Sequence, residues 1–333
     1  MTPNTLCSRL IVAFACTCLF GQPRSSAAPI LAIDGDHFTV NGVAQFIVCV
    51  SYFHGLERPA DTLSVDLSWL KSKGVTGVRV WPNATTPRLM RSNGQLDAIA
   101  LQKLKSIVDE AALRGMIVDI TFTRESVPLL PHDTAFTIAE YTRAITFTAT
   151  ALRDRRNILF DLQNEWNNQS ITFADLADIA SALKSQHPAL LVTASTSGNS
   201  YRAAAADAFD VLAYHGSRDD AGRWADETDE LVAGLRAQLA VMPRKAPIYL
   251  QEPNRFSFPF DSLNYYDNVQ AHYWKSVQNA KLAGAAAWTF HTAASFGLAS
   301  STPLSKLLLP GEREVLESLA ARLAEQSVWG IQK

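Results

Sequence analysis

The chain has 333 residues, with 30 lysines and arginines against 32 aspartates and glutamates, and 47% of its residues are hydrophobic. This length and composition fit one large globular domain better than two small ones. The near-neutral charge argues against binding to nucleic acid or to an anionic membrane surface.

The first 28 residues predict a secretory signal peptide. Arg9 precedes an apolar run over residues 10–20, and small residues follow up to Ala28, which is the order typical of such leaders. The run is shorter than the roughly 20 residues that span a bilayer. We therefore expect a soluble, secreted or periplasmic mature chain, in which Cys49 is the one remaining cysteine and an internal disulfide is impossible.

After the leader, the pattern predicts a short β-hairpin flap and then an alternation of strands and helices. The hairpin turns at the pair Asn41-Gly42, a sequence that favours a tight hairpin turn. Eight apolar segments then predict strands, over residues 46–52, 75–81, 116–122, 158–163, 190–194, 211–214, 248–251 and 285–290.

The segments between these strands show helical spacing. It is clearest over residues 96–111, where apolar residues recur at i, i+3 and i+4, and Gly74 and Gly115 follow two of the helices as C-terminal caps. Further helices are expected over residues 135–153, 173–186, 228–241, 268–282 and 312–325, with a short fifth crossover near residues 200–206.

Strands buried on both faces and separated by helices imply a parallel sheet. Eight such units favour a closed (β/α)8 TIM barrel, as a single domain over residues 29–333, over an open doubly wound sheet. No glycine-rich phosphate loop follows the first strand, which also argues against a nucleotide-binding fold.

Two glutamates follow apolar strands where the mouth of the barrel is expected. Glu165 comes after the strand over residues 158–163, and Glu252 comes after the strand over residues 248–251. Because the carboxyl ends of barrel strands meet at one mouth, the two side chains should lie close together. Acetal cleavage requires such a pair, since one carboxylic acid protonates the leaving oxygen while the other carboxylate attacks carbon or activates water.

The sequence around these glutamates resembles clan A of the glycoside hydrolases, the cellulase- and mannanase-like (β/α)8 enzymes of family five and its relatives. In that clan the general acid/base is the glutamate of an Asn-Glu pair after the fourth strand, here Asn164-Glu165, and the nucleophile is a glutamate after the seventh strand, here Glu252. The resemblance implies a retaining O-glycosyl hydrolase that cleaves β-glycosidic bonds of a polysaccharide or oligosaccharide by double displacement.

The same resemblance implies roles for further residues. Arg79 matches the arginine that supports the nucleophile, and Asn164 would hold the sugar 2-hydroxyl. His215 matches a histidine that organises the site, and Trp288 matches the tryptophan on which the sugar rests. Three positions depart from the clan: Trp166 replaces a usual proline, Ser217 replaces a frequent tyrosine, and the third strand lacks a histidine.

Several aromatic residues at strand ends are further candidates for contact with the sugar. Trp81, Trp166 and Trp288 present flat rings that can stack on a pyranose. Tyr214 or Tyr249 would supply the phenol that Ser217 cannot.

In the implied mechanism the two carboxyl groups lie roughly 5–5.5 Å apart. We expect Glu252, near Arg79, to stay ionised, and Glu165, beside Trp166 and a second negative charge, to have a raised pKa and be protonated. The reaction needs no metal and no cofactor, and its partner is a β-linked carbohydrate.

Two other functions compete with this interpretation. A metal-dependent barrel hydrolase would need clustered ligands such as His-x-His, and the seven histidines are scattered. A secreted, non-catalytic carbohydrate-binding barrel is the second, which Trp166 and Ser217 favour and which the retention of both glutamates disfavours. The sugar, its linkage, endo or exo attack and the oligomeric state stay open.

Overall fold

Eleven strands lie in two sheets in the computed structural model, which describes residues 28–84, 86–124, 136–198, 205–218, 222–256 and 267–329. The first sheet contains β1 (Leu31–Asp34), β2 (His37–Val40) and β3 (Val43–Ala44). The second contains β4 (Ile47–Ser51), β5 (Gly77–Val80), β6 (Ile117–Thr121), β7 (Ile158–Asp161), β8 (Leu191–Thr193), β9 (Leu212–Tyr214), β10 (Ile248–Leu250) and β11 (Ala287–Phe290).

The second sheet is a parallel barrel. Its strands pair in the order β8-β7-β6-β5-β4-β11-β10-β9. Thr196, three residues beyond the end of β8, forms a bridge with Tyr214, the last residue of β9. There the His215 amide donates to the Thr196 carbonyl at 3.0 Å. The predicted (β/α)8 barrel is therefore confirmed, with all eight strands in their expected places.

Helices connect the strands and surround the barrel. They are α1 (Ala60–Ser72), α2 (Ala98–Leu113), α3 (Ile138–Ala151), α4 (Phe173–Gln186), α5 (Ala205–Ala208), α6 (Arg223–Asp226), α7 (Thr228–Ala240), α8 (Gln270–Leu282), α9 (Leu304–Leu307) and α10 (Pro310–Trp329). Among the described residues, none of these helices is long and apolar enough to cross a bilayer.

Side chains at the helix ends explain where several helices begin and stop. Asp97 accepts hydrogen bonds from the amides of Ile99 and Ala100 and so caps α2, and Thr137 and Glu140 form a reciprocal capping box at α3. Gly74 and Gly115 have positive φ angles of 84° and 64°, the left-handed geometry of a C-terminal cap, as predicted.

The N-terminal sheet closes the end of the barrel opposite the mouth. Leu31 and Phe38 pack into one apolar cluster with Ile47, Ile117 and other residues from inside the barrel. The predicted hairpin flap is present and carries a third strand. The predicted signal peptide falls on residues outside the described part of the chain, apart from Ala28.

Alternation along each strand separates the barrel interior from the helix layer. On β11, Ala287 belongs to the interior cluster, whereas Trp288 and Phe290 belong to the core between sheet and helices. Gly77 on β5 faces inward, and a Cβ atom there would meet Cys49 Sγ at 2.8 Å. The barrel interior therefore has no room for a larger side chain at Gly77.

Candidate active site

Glu165 and Glu252 lie at the same mouth, beyond the carboxyl ends of β7 and β10. One carboxylate oxygen of each and a ring nitrogen of His215 lie within 4.8 Å of one another. Glu165 has a left-handed backbone, with φ at 49°, a conformation that disfavours residues other than glycine and that clusters at functional sites. The fold thus brings together the two carboxylates that the sequence pairs.

Both oxygens of the Glu252 carboxylate are bound by arginines. Arg79 Nη1 donates to Oε2 at 2.6 Å, and Arg218 Nη2 donates to Oε1 at 2.7 Å. Burial alone would raise the pKa of Glu252, but His291, His215 and the two arginines hold it well below its usual value. Glu252 is therefore ionised, in agreement with the expectation from the sequence.

Glu165 is also held as a carboxylate. His215 Nδ1 lies 2.8 Å from its Oε1, and Arg218 Nη2 lies 3.4 Å from the same oxygen. Burial and the charge of Glu252 raise the pKa of Glu165, but His215 and Arg218 outweigh them, so that its pKa lies below the usual value. The expected raised pKa is wrong for this arrangement, because the sequence does not show the arginine that separates the two carboxylates.

Arg79 is completely buried at the centre of a polar network inside the barrel. Its Nε donates to Thr121 Oγ1 at 2.9 Å, and its Nη2 donates to Asn164 Oδ1 at 2.8 Å and to Asp161 Oδ2 at 3.3 Å. Asp119 Oδ2 lies 3.6 Å from Nε, and burial raises the pKa of Asp119 to about 6. These partners fix the guanidinium, so that its contact with Glu252 is rigid.

His215 links the two glutamates from below the mouth. Besides its contact with Glu165, its Nε2 lies 3.5 Å from Arg79 Nη2 and 3.9 Å from Glu252 Oε2. The ring is fully buried. The ring therefore contacts both glutamates and Arg79, and its site-organising role stays a prediction.

His291 faces Glu252 from the end of β11. Arg255 Nε donates to His291 Nε2 at 2.6 Å, so the ring proton of the neutral imidazole is on Nδ1. That Nδ1 lies 3.8 Å from Glu252 Oε1 and has no hydrogen-bond partner among the described residues. A buried donor without a partner is costly, so a hydroxyl group bound between His291 and Glu252 would be stabilised there.

Trp288 and Tyr214 do not reach the mouth, which corrects two predicted contacts with substrate. Trp288 is fully buried and donates from Nε1 to Ser276 Oγ on α8 at 3.1 Å. Tyr214 is fully buried in the core between sheet and helices. The physical reason is strand alternation, since both side chains point away from the barrel interior. Tyr249 points inward but is hydrogen-bonded to Thr289 below the site.

Trp81 and Trp166 both lie near the glutamates, but Trp81 is buried whereas Trp166 is partly exposed. The guanidinium carbon of Arg79 lies 4.2 Å from the centroid of the Trp81 ring, and the Phe53 ring centroid lies 4.9 Å from it. Trp81 is 2% exposed. The ring of Trp166 packs on Phe173 at 5.6 Å. Trp81 therefore supports Arg79, and its predicted role as a sugar platform is wrong for this structure.

The structure adds several residues to the site. Asp119 and Asp161 stand at inward positions of otherwise apolar strands, and an acid in such a strand is a sign that it has a buried partner. Arg218 and Arg255 follow strand ends in loops, where no periodic pattern marks them. The sequence could have indicated the two aspartates but not the two arginines.

Glu165, His215 and Glu252 lie close enough together to bind a metal ion. Arg79 and Arg218 donate to oxygens of the same glutamates. Two guanidinium cations within hydrogen-bonding distance would repel a divalent cation. The donor set therefore does not fit a resident metal.

Comparison with known proteins agrees with this fold. The family model of cellulase, glycosyl hydrolase family 5, matches residues 36–223. A family 5 glycoside hydrolase from Bacteroides vulgatus ATCC 8482 aligns at TM-score 0.63 and 18% identity, over 86% of this chain and 70% of that chain. The exo-β-1,4-mannosidase Op5Man5 from Opitutaceae bacterium strain TAV5 aligns at TM-score 0.64 and 16% identity, over 89% and 63%.

A family 5 hydrolase from Streptomyces cattleya, solved in complex with Manβ1-4GlcNAc, aligns at TM-score 0.60 and 18% identity, over 86% of this chain and 81% of that chain. No curated protein sequence matches this one. At these identities the solved structures show a shared fold.

A (β/α)8 barrel with paired carboxylates at its mouth defines the class of protein, a barrel glycosidase. The matched region spans more than half of the sequence, and the chain belongs to glycosyl hydrolase family 5, the cellulase family. The resemblance stated from the sequence is confirmed.

Proposed function

We propose that the protein is a retaining β-glycosidase in which Glu252 is the nucleophile and Glu165 is the general acid/base. The observation that carries this proposal is the approach of one oxygen of each glutamate to within 4.8 Å. Retaining enzymes hold the two carboxyl groups about 5–5.5 Å apart, whereas inverting enzymes leave roughly 6.5–9.5 Å for a water.

The environment of each glutamate supports its role. Glu252 is the more buried, with 7% of its side chain exposed against 22% for Glu165. It is kept ionised by Arg79, which does not need to move. Glu165 shares Arg218 with Glu252, and a sugar that separates Arg218 from Glu165 raises the pKa of Glu165 toward that of a proton donor.

The substrate class is a β-linked glycan or glycoside. Mannosidases occur among the solved structures of similar fold, so β-mannosides are the first substrates to test, followed by β-glucosides.

We also propose that the chain is exported to the periplasm or the medium, on the basis of the leader over residues 1–28.

The experiment combines turnover with chemical trapping. The protein is incubated with aryl β-mannosides and β-glucosides, in parallel with Glu165→Gln, Glu252→Gln and the control Glu317→Gln, an exposed residue of α10. A 2-fluoroglycosyl adduct on Glu252, seen by mass spectrometry, with activity lost in both site variants and kept in Glu317→Gln, supports the proposal.

The opposite result would favour a non-catalytic carbohydrate-binding barrel. That function predicts binding of β-linked oligosaccharides without turnover or adduct. Product with inverted anomeric configuration, detected by NMR, would contradict the retaining mechanism while leaving the enzyme class in place.

A further inference from the structure

Arg218 lies between the two glutamates, where the reacting sugar has to bind. Its Nη2 is 2.7 Å from Glu252 Oε1 and 3.4 Å from Glu165 Oε1. Because Arg79 already donates to Glu252 Oε2, Oε1 is the oxygen that faces Glu165, and Arg218 fills the space in front of it. A sugar whose glycosidic bond lies between the two carboxylates therefore has to displace Arg218 from this position.

Arg218 is the arginine that can move. Arg79 is fully buried and is fixed by several partners, whereas 19% of the Arg218 side chain is exposed. Its contacts within the described part of the chain are with Glu165, Glu252 and His215. A guanidinium stays charged at any working pH, so a displaced Arg218 needs another acceptor.

A cavity of about 260 Å³ beside Arg218 offers room for that acceptor. It is lined by Glu165 and by small or polar residues that include Ser197, Gly198, Gly216 and Ser217. Glu252 does not line it. A cavity next to the proton donor and away from the nucleophile lies on the side of the leaving group.

The charge of this cavity changes during the reaction. Glu165 is the one acidic residue among the described residues that line it, and Glu165 has to carry a proton when the glycosidic bond breaks. When Glu165 is protonated, Arg218 is the one charged side chain among the described residues that line the cavity. Arg218 can then pair with an anion bound in the cavity, because an arginine binds a carboxylate with two parallel hydrogen bonds.

We propose that this cavity binds an acidic leaving group and that Arg218 is the residue that selects it. The preferred substrate is then a β-linked glycan in which the leaving residue is a uronic acid. This inference rests on the proposed function for the identity of the proton donor. The carboxylate of the uronic acid takes the place of the glutamate that Arg218 gives up. Arg218 thereby leaves Glu252 free to attack while the cavity remains electrically balanced.

Binding of the free leaving residue tests the proposal without any turnover. Affinities of glucuronate and glucose for the whole protein are measured by calorimetry or by ligand-observed NMR. We expect glucuronate to bind roughly 10- to 100-fold more tightly, as is typical for a charge-assisted pair. The preference should disappear in Arg218→Gln, return in part in Arg218→Lys, and stay unchanged in Arg153→Gln, an exposed arginine distant from the mouth.

Hydrolysis then distinguishes this inference from the proposed function. Two disaccharides are compared that share the glycone and differ only in a glucuronic acid leaving residue or its carboxyl-reduced form. A higher kcat/KM for the acidic form, lost in Arg218→Gln, supports the proposal. Equal affinities for glucuronate and glucose, or a preference that survives in Arg218→Gln, would overturn it. A glucuronate preference without hydrolysis of any glycoside would instead remove the proposed function and leave the acidic-sugar site.

Discussion

Arg79 Nη1 and Glu252 Oε2 lie 2.6 Å apart although the two residues are 173 positions apart in the chain. One is on β5 and the other follows β10, three strands away in the barrel order. The contact therefore exists only when the barrel is closed. Folding and the assembly of the site are coupled at this pair.

Replacement of Arg79 should destabilise the fold as well as abolish activity. In Arg79→Met, Asp119, Asp161 and Glu252 lose their shared buried cation, and breaking such a buried pair costs about 3–5 kcal/mol. Urea denaturation measures this loss. The matched control is Arg91→Met, whose exposed pair with Asp97 should cost at most about 1 kcal/mol. Equal losses in the two variants would contradict the structural role of Arg79.

Replacement of Trp288 should affect stability and leave catalysis intact. Trp288→Phe loses the hydrogen bond to Ser276 and part of the packing on α8, for which we expect a loss of about 1–3 kcal/mol and an unchanged KM. Trp81→Phe provides the contrast, because it disturbs the ring beneath Arg79 and should lower kcat/KM. A large rise in KM for Trp288→Phe with no change in stability would show that Trp288 contacts the sugar.

Removal of Arg255 should raise the pKa of His291. Burial lowers the pKa of His291 well below its usual value, and Arg255 lowers it further while occupying Nε2. In Arg255→Met the Nε2 atom is released and one cause of the lowered pKa of His291 is removed, so that this pKa should rise while burial still holds it below the usual value. The pH dependence of the ring signals in ¹⁵N-histidine NMR measures the change. Identical titration in wild type and variant would exclude control of His291 by Arg255.

Glu312 should give the protein a pH-dependent stability near neutrality. Burial raises the pKa of Glu312 from 4.5 to about 7, against hydrogen bonds from Thr292 and the Leu309 amide. The folded protein therefore holds this proton more tightly than the unfolded chain. Its contribution to stability is complete at low pH and is lost as the pH rises from 4.5 through about 7.

Glu312→Gln should flatten this dependence, because the glutamine stays neutral. Tm is measured at pH 5 and pH 8 in the wild type, in Glu312→Gln and in the exposed control Glu317→Gln. We expect a smaller drop in Tm between the two pH values in Glu312→Gln than in the other two proteins. The same drop in all three would show that Glu312 does not titrate in this range.

The sequence was sufficient for the barrel and for the pair of glutamates, because both depend on local patterns. Apolar segments punctuated by glycines such as Gly74 and Gly115 give the order of elements. Glu165 and Glu252 stand where such segments end. Barrel geometry then requires the two side chains to meet.

The sequence was misleading where the direction of a side chain mattered. Trp288 and Tyr214 were expected at the mouth because they are near strand ends, but they occupy outward positions of their strands. Counting inward positions back from Thr289 would have placed Trp288 in the helix layer. Arg218 could not be predicted, because a loop residue acquires its neighbours only from the closed fold.

The double arginine contact of Glu252 has a consequence for inhibitor design. In the proposed mechanism a cationic sugar mimic would place its charge next to Glu252, where the guanidinium of Arg218 already lies at 2.7 Å. A cationic mimic would have to evict a cation in order to bind. Uncharged sugar mimics avoid this repulsion, and we expect them to suit the site better.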